Sequence, residues 1–287
     1  QQRRNRAATR REGVDLFTIF SGSLAVQESL QLDAMQNRAI GNPVKQENSV
    51  PVNSLAGPTV KSHPWKDMLG DRQPEISPLA LFVPEDQYYI AFRSVSKMLD
   101  LINTGDLFSD HMLSQAGVPA WKRETDRQLR RQLAIETSDL ARPFYDLVVN
   151  EIVLTGSDPF VNEGSDVTLL FRYEQDLVFR KQMEVYLAAS QKAIPGAVRK
   201  KGDYKGVAYE SLLAPDREVH VYSAYPWPGL HVRSNSLVGF QRVIDLIEGK
   251  AGRDQKSLGE STEFAYIRTL MPTGAPEEDG LIYLSDP

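Results

Sequence analysis

Asp158, Glu163 and Asp166 stand within TGSDPFVNEGSD (155–166), a stretch that says Gly-Ser-Asp twice. Three carboxylates so close could ligate a hard cation or serve a hydrolytic site, and a cation needs oxygens at fixed positions. In an EF-hand register Asp158 would take position one and Asn162 position five. Position three is then Phe160, which cannot ligate, and position six is Glu163, where the sharp turn needs glycine. A polar turn between two strands accounts for more of the letters. Gly156 and Gly164 would supply positive φ, and Ser and Asp would bond turn amides. A metal-dependent or hydrolytic loop of Asp158, Glu163 and Asp166 is the alternative, with or without a histidine brought close by the fold.

The histidines are His63, His111, His220 and His231, none in an H-E-x-x-H pattern. A hairpin centred on PWPG (226–229) would set Ala224 opposite His231 and Tyr222 opposite Arg233. His220 is then displaced by roughly 13 Å at strand rise, too far to share one metal. No G-x-S-x-G elbow, Walker loop or G-x-G-x-x-G occurs. Gly249 and Lys250 in IEGKAG follow a helix and read as its C-terminal cap. Tyr222, Tyr225, Trp227, His231 and Arg233 gather around one turn, and aromatics with arginine are typical of binding hot spots. They form the candidate binding site.

Composition bounds the remaining classes. Hydrophobic residues make up 41% of the 287 and charged residues 25%, a globular balance. A formal net charge of −5 lacks the basic field of a general nucleic-acid binder, so no specific nucleic acid is expected. The chain has no cysteine, which excludes disulfides, thiolate nucleophiles, Fe–S clusters and Cys-type zinc sites. No cofactor is expected. Cysteine depletion points to an extracytoplasmic setting, periplasmic or cell-surface, with the cytoplasm as alternative. No run of about 18 apolar residues occurs, so no spanning helix is expected. Arg3, Arg4, Arg6, Arg10 and Arg11 precede an apolar run that polar residues interrupt, with no A-x-A site after it. They read as a solvated basic tail able to touch an anionic surface peripherally. A second basic run, RKKGDYK (199–205), reads as a hairpin lip.

The elements that must position these residues follow from periodicity. Residues 1–40 are expected to be a basic tail and helical arm. Six prolines at 41–80 predict an extended connector draped over the surface. From 81 an α+β domain is expected, with a mostly antiparallel sheet packed on helices. Strands are predicted at 88–92, 151–156, 166–173, 206–214, 219–225, 229–234 and 280–287. Helices are predicted at 94–102, 124–138, 140–151, 177–192, 237–250 and 257–272. Leu140, Phe144, Leu147 and Val148 share one face of the third, and Phe179, Met183, Tyr186 and Leu187 face inward from the fourth. SVSKMLDLI (94–102) echoes GFQRVIDLI (239–247), which suggests a duplicated strand–helix unit.

Several phrases resemble one family: GSLAVQESLQLDAM (22–35), SHPWKDML (62–69), VPEDQYYIAFRSVSKMLDL (83–101), LARPFYDLVVNEIVLTGSDPFVNEGSDVTLLF (140–171), and SLGESTEFAYIRTLMP followed by GLIYLSDP. They are similar to large, uncharacterised bacterial proteins whose layout matches exported domains of unknown function, where a P-E-D strand–helix unit recurs. The resemblance covers most of the chain after about residue 14. It implies a piece of a larger protein, in keeping with the β-like run that ends at Pro287, and it carries over no catalytic residue. The expected role is a non-enzymatic structural or binding module, whose partner is another protein or the remainder of the parent chain.

Overall fold

Trp65–Thr104 and Arg123–Pro287 form one compact unit. The computed structural model describes residues 62–101, 125–135, 142–158, 164–252, 255–274 and 278–284. The 1–40 arm with its arginines, residues 41–61 of the connector, His111 and Glu163 lie outside the described residues.

The strands are β1 (Tyr88–Phe92), β2 (Val149–Gly156), β3 (Thr168–Tyr173), β4 (Val198–Tyr204), β5 (Val207–Leu213), β6 (His220–Ala224), β7 (Leu230–Ser234) and β8 (Gly280–Tyr283). They make one eight-stranded sheet in the order β4-β5-β6-β7-β3-β2-β1-β8. Every pairing is antiparallel. The α+β class with a mostly antiparallel sheet is therefore the observed architecture. The helices are α1 (Trp65–Leu69), α2 (95–101), α3 (Thr125–Gln132), α4 (Arg142–Val148), α5 (Asp176–Ala193), α6 (Leu237–Ile247) and α7 (Thr262–Leu270). No described helix is long and apolar enough to cross a membrane.

Helices cover both faces of the sheet. On one face Phe240, Val243, Ile244 and Ile247 of α6 and Phe264 of α7 pack on Tyr89, Val153, Leu170 and Val232. On the other, Phe179, Met183 and Tyr186 of α5 join Val95, Met98 and Leu99 of α2 over Phe92, Ile152, Leu169 and Phe171. Covering both faces explains why β3 and β7 are buried nearly throughout, where an antiparallel strand with one wet face would alternate. The echoed helices bury their matched positions on opposite faces, α2 on one and α6 on the other.

Within the described end of the proline-rich connector a short helix, α1, forms with no buried residue, and a 3-10 turn at Pro78–Phe82 then enters the core through Leu79 and Ala80. Two expectations are corrected. RKKGDYK is no lip but most of β4, an edge strand whose burial alternates weakly because charged side chains line it. On α4 Leu147 points to solvent, and Tyr145 takes its place inward beside Val148.

Candidate functional site

The 157–166 loop closes the β2–β3 hairpin, in which Thr155 pairs with Thr168. Asp166 Oδ1 accepts the Ser157 N–H at 3.1 Å and the Ser157 hydroxyl. The Ser165 hydroxyl donates to Asp158 Oδ2 at 2.8 Å. Each Gly-Ser-Asp thus supplies a serine to the other copy's aspartate, which is turn chemistry. Gly164 has φ +93°, as expected. Gly156 does not have positive φ. Its role is close approach, because a Cβ there would collide with the Asp166 carbonyl oxygen and the Tyr88 ring. The loop and the first turn of α6 border an open cleft of about 510 Å³, with Gln87, Asp158, Asp166 and Arg242 on its walls. Among the described residues no three His, Asp or Glu are placed to hold a metal ion.

Of the two strand histidines, neither bonds to Asp158 or Asp166. His231 lies under α5 against Phe171 and Phe179, and His220 lies edge-on to Tyr222 at 5.6 Å on the α6 side. The hairpin register also differs from the expected one: Ala224 pairs with Val232, Ser223 with Arg233 and Tyr222 with Ser234. Gly229 at φ +81°, with Leu230 N–H donating to Trp227 O at 3.1 Å, makes the connection one residue longer than a turn centred on PWPG. One residue of slip sends every side chain to the other face. Tyr222 therefore packs on Phe240 under α6, and Arg233 sits under α5.

The five candidate binding residues consequently do not make one exposed patch. Tyr222, His231 and Arg233 are buried, and Trp227, at 43% exposure, stands edge-on to Phe82 at 5.2 Å. Tyr225 lies 4.3 Å from the His231 ring, and the Arg180 guanidinium sits 4.0 Å over the Tyr225 ring. Burial pushes the Tyr225 hydroxyl up to about 12. Asp176 ties this stack to α5, accepting from Tyr173 at 2.6 Å and Arg180 at 2.7 Å; these hydrogen bonds hold its carboxyl below the usual range.

Sequence reasoning passed over a charged pocket of about 230 Å³ on the α7 side of β1, β2 and β3. Buried Glu151 accepts from Ser77 at 2.5 Å and pairs with Arg172 Nε at 3.3 Å. Burial, then the charge of Glu151, push the Tyr89 hydroxyl up. Arg268 of α7 donates to Glu278 at 2.9 Å and to Thr273 at 3.1 Å. The available signal was a lone Glu among apolar letters in EIVL, on a strand buried on both sides.

Together these elements define an α+β protein whose antiparallel sheet lies between two helical layers. The chain matches no protein-family model and no curated protein. Among solved structures, crystal form IV of TP0453 is similar with a TM-score of 0.29 and 11% identity, over 65% of this chain and 54% of that chain. The match thus spans about half of that chain's length, and at that score it assigns neither fold nor function.

Proposed function

We propose that the unit is a non-enzymatic binding module of a larger bacterial, extracytoplasmic protein, and that it takes up an extended polypeptide segment of a protein partner along β8. One observation carries this reading: the two edges of the sheet are built in opposite ways. β4 presents Arg199, Lys200, Lys201 and Asp203 within seven residues, and charges on an edge discourage strand addition. β8 is Gly-Leu-Ile-Tyr. Ile282 is 54% exposed and Leu284 45% exposed, unusual for large apolar side chains at a sheet edge. Beside them a shallow groove of about 470 Å³ is lined by Phe92, Leu101 and Ile282, with Lys97 and Asp279 paired at 3.2 Å on its rim.

An added strand takes its affinity from main-chain hydrogen bonds and its specificity from pockets for alternate side chains. The groove offers such a pocket on the α2 side. The absence of cysteine and the resemblance to exported proteins support the extracytoplasmic setting.

A synthetic peptide copying residues 87–93 tests the edge, because β1 already pairs with β8 in that sequence. Titration into the isotope-labelled chain is expected to move the amides of 280–284 and of α2 saturably. Ile282→Lys should abolish those shifts with little change in stability, since the side chain is exposed. Shifts that stay absent in the wild type, or persist in Ile282→Lys, would remove the edge as the binding surface.

A further inference from the structure

Arg233 is completely withdrawn from water and has no carboxylate partner among the described residues. Its Nη1 donates to the Ala134 carbonyl oxygen at 3.0 Å and lies 3.7 Å from Met183 Sδ. Nε and Nη2 bond nothing. Those two atoms form the side-on edge of the guanidinium, whose parallel N–H groups take an anion in bidentate fashion. Arginine keeps its charge in proteins, and a buried charge is stable only when paired and hydrogen-bonded.

The nearest carboxylates are engaged elsewhere. Arg233 pairs with Ser223, and Ser223 with Glu210, along one row of the sheet. That row places Glu210 roughly 10 Å from Arg233, two strand spacings away. Glu184 on α5 is close enough for its charge to act on Arg233. Both carboxylates bind Arg199 instead, Glu184 at 2.5 Å and Glu210 in a shorter contact. The remaining groups that act on Arg233 are tyrosines, Tyr145, Tyr186 and Tyr225, none of them a carboxylate. The neighbouring His231 donates its Nδ1–H to Ala224 O at 2.9 Å, and burial keeps it neutral. The buried Tyr186 hydroxyl has no partner.

We propose that Arg233, beneath α5, is the centre of a site for a small monovalent anion, chloride or a carboxylate of formate size, held by Arg233 Nε and Nη2 with the Tyr186 hydroxyl as a further donor. The anion completes the ion pair that α5 covers, and so fastens α5 to the sheet. The site is distinct from the β8 edge and does not depend on it.

Chlorine quadrupolar line-broadening NMR on the full chain tests the proposal. Excess broadening is expected, and added formate should displace it saturably. Arg233→Met should abolish it, while Arg172→Gln, which removes a guanidinium on the α7 side of the sheet, should leave it intact. Unfolding temperature at fixed ionic strength should be higher in chloride or formate than in gluconate. If Arg233→Met does not fold, Tyr186→Phe serves instead and should weaken formate displacement about threefold to tenfold, the loss of one hydrogen bond. Absence of formate-displaceable broadening in the folded wild type overturns the site. So does broadening that survives Arg233→Met, or that Tyr186→Phe leaves unchanged when Arg233→Met cannot be used.

Discussion

Val167 and Asn235 bond each other twice: the Val167 N–H donates to Asn235 Oδ1 at 2.7 Å, and the Asn235 N–H donates to the Val167 carbonyl at 3.1 Å. Asn235 Nδ2 goes on to the Ser165 carbonyl at 3.0 Å and to Gln132 Oε1 at 3.1 Å. Its own carbonyl accepts from His220 Nδ1 at 2.8 Å. One buried amide therefore joins the β2–β3 loop, α3 and β6 to the junction where β7 becomes α6. Asn235→Ala leaves the Val167 N–H buried without its partner and is expected to cost about 2–4 kcal/mol. Asn235→Asp keeps the acceptor but turns a charge toward two other acceptors, and should cost at least as much. Chemical denaturation of both variants checks this. A loss below about 0.5 kcal/mol, the level of an ordinary surface change, would show that the junction is held otherwise.

The two glycines of the repeated Gly-Ser-Asp should fail in different ways. Gly156→Ala places a methyl against the Asp166 carbonyl and the Tyr88 ring, and overpacking of that kind costs about 1–3 kcal/mol. Gly164 has open space around it, so Gly164→Ala should cost only the left-handed backbone penalty of about 1–2 kcal/mol. A further change to valine should worsen Gly156 steeply, because bulk is its problem. Melting temperatures of Gly156→Ala, Gly156→Val, Gly164→Ala and Gly164→Val separate collision from backbone strain.

Arg268 and Glu278 form an ion pair whose side chains are 5% and 16% exposed. Burial pushes the Glu278 carboxyl up, but the hydrogen bonds from Arg268 and the Gly274 N–H outweigh it, and the net shift is downward. A carboxyl lowered on folding adds stability at neutral pH that is lost as pH falls below the ordinary glutamate range. Arg268→Met strands the carboxylate and is expected to cost about 3–5 kcal/mol. Glu278→Gln should flatten the acid limb of the stability profile, which unfolding at graded pH measures. An acid limb unchanged in Glu278→Gln would mean that other carboxyls govern it.

Helical spacing was the most legible signal in the sequence. Phe179, Met183, Tyr186 and Leu187 on α5 face the core as their period requires, and so do Phe240, Val243, Ile244 and Ile247 on α6. Strands rich in β-branched and aromatic letters were legible for the same reason. β4 was not, because an edge strand laden with lysine lacks the apolar alternation that marks strands. The β6–β7 register was not legible either. A two-residue period gives no information on turn length, so the placement of Tyr222 and Arg233 on opposite faces depended on one glycine with positive φ. Asn235 was hidden because its role lies in contacts 68 and 103 residues away in sequence.

His231 should make the fold acid-sensitive well above the carboxylate range. Burial, then the positive charge of Arg233, hold its imidazole well below the usual histidine value, against the smaller opposing effect of its bond to Ala224 O. The unfolded chain therefore binds a proton near pH 6.5 that the folded chain refuses. Stability from this group is present above that pH and falls as pH drops toward the folded value. The expected loss is about 1 kcal/mol between pH 7 and pH 5.5, at 1.36 kcal/mol for each full unit. His231→Phe keeps a ring among Phe171, Phe179 and Tyr225 and removes the titrating group, so its stability should be flat over that interval. Equal slopes for wild type and His231→Phe would assign the acid sensitivity to another histidine and show that His231 protonates without opening the α5 layer.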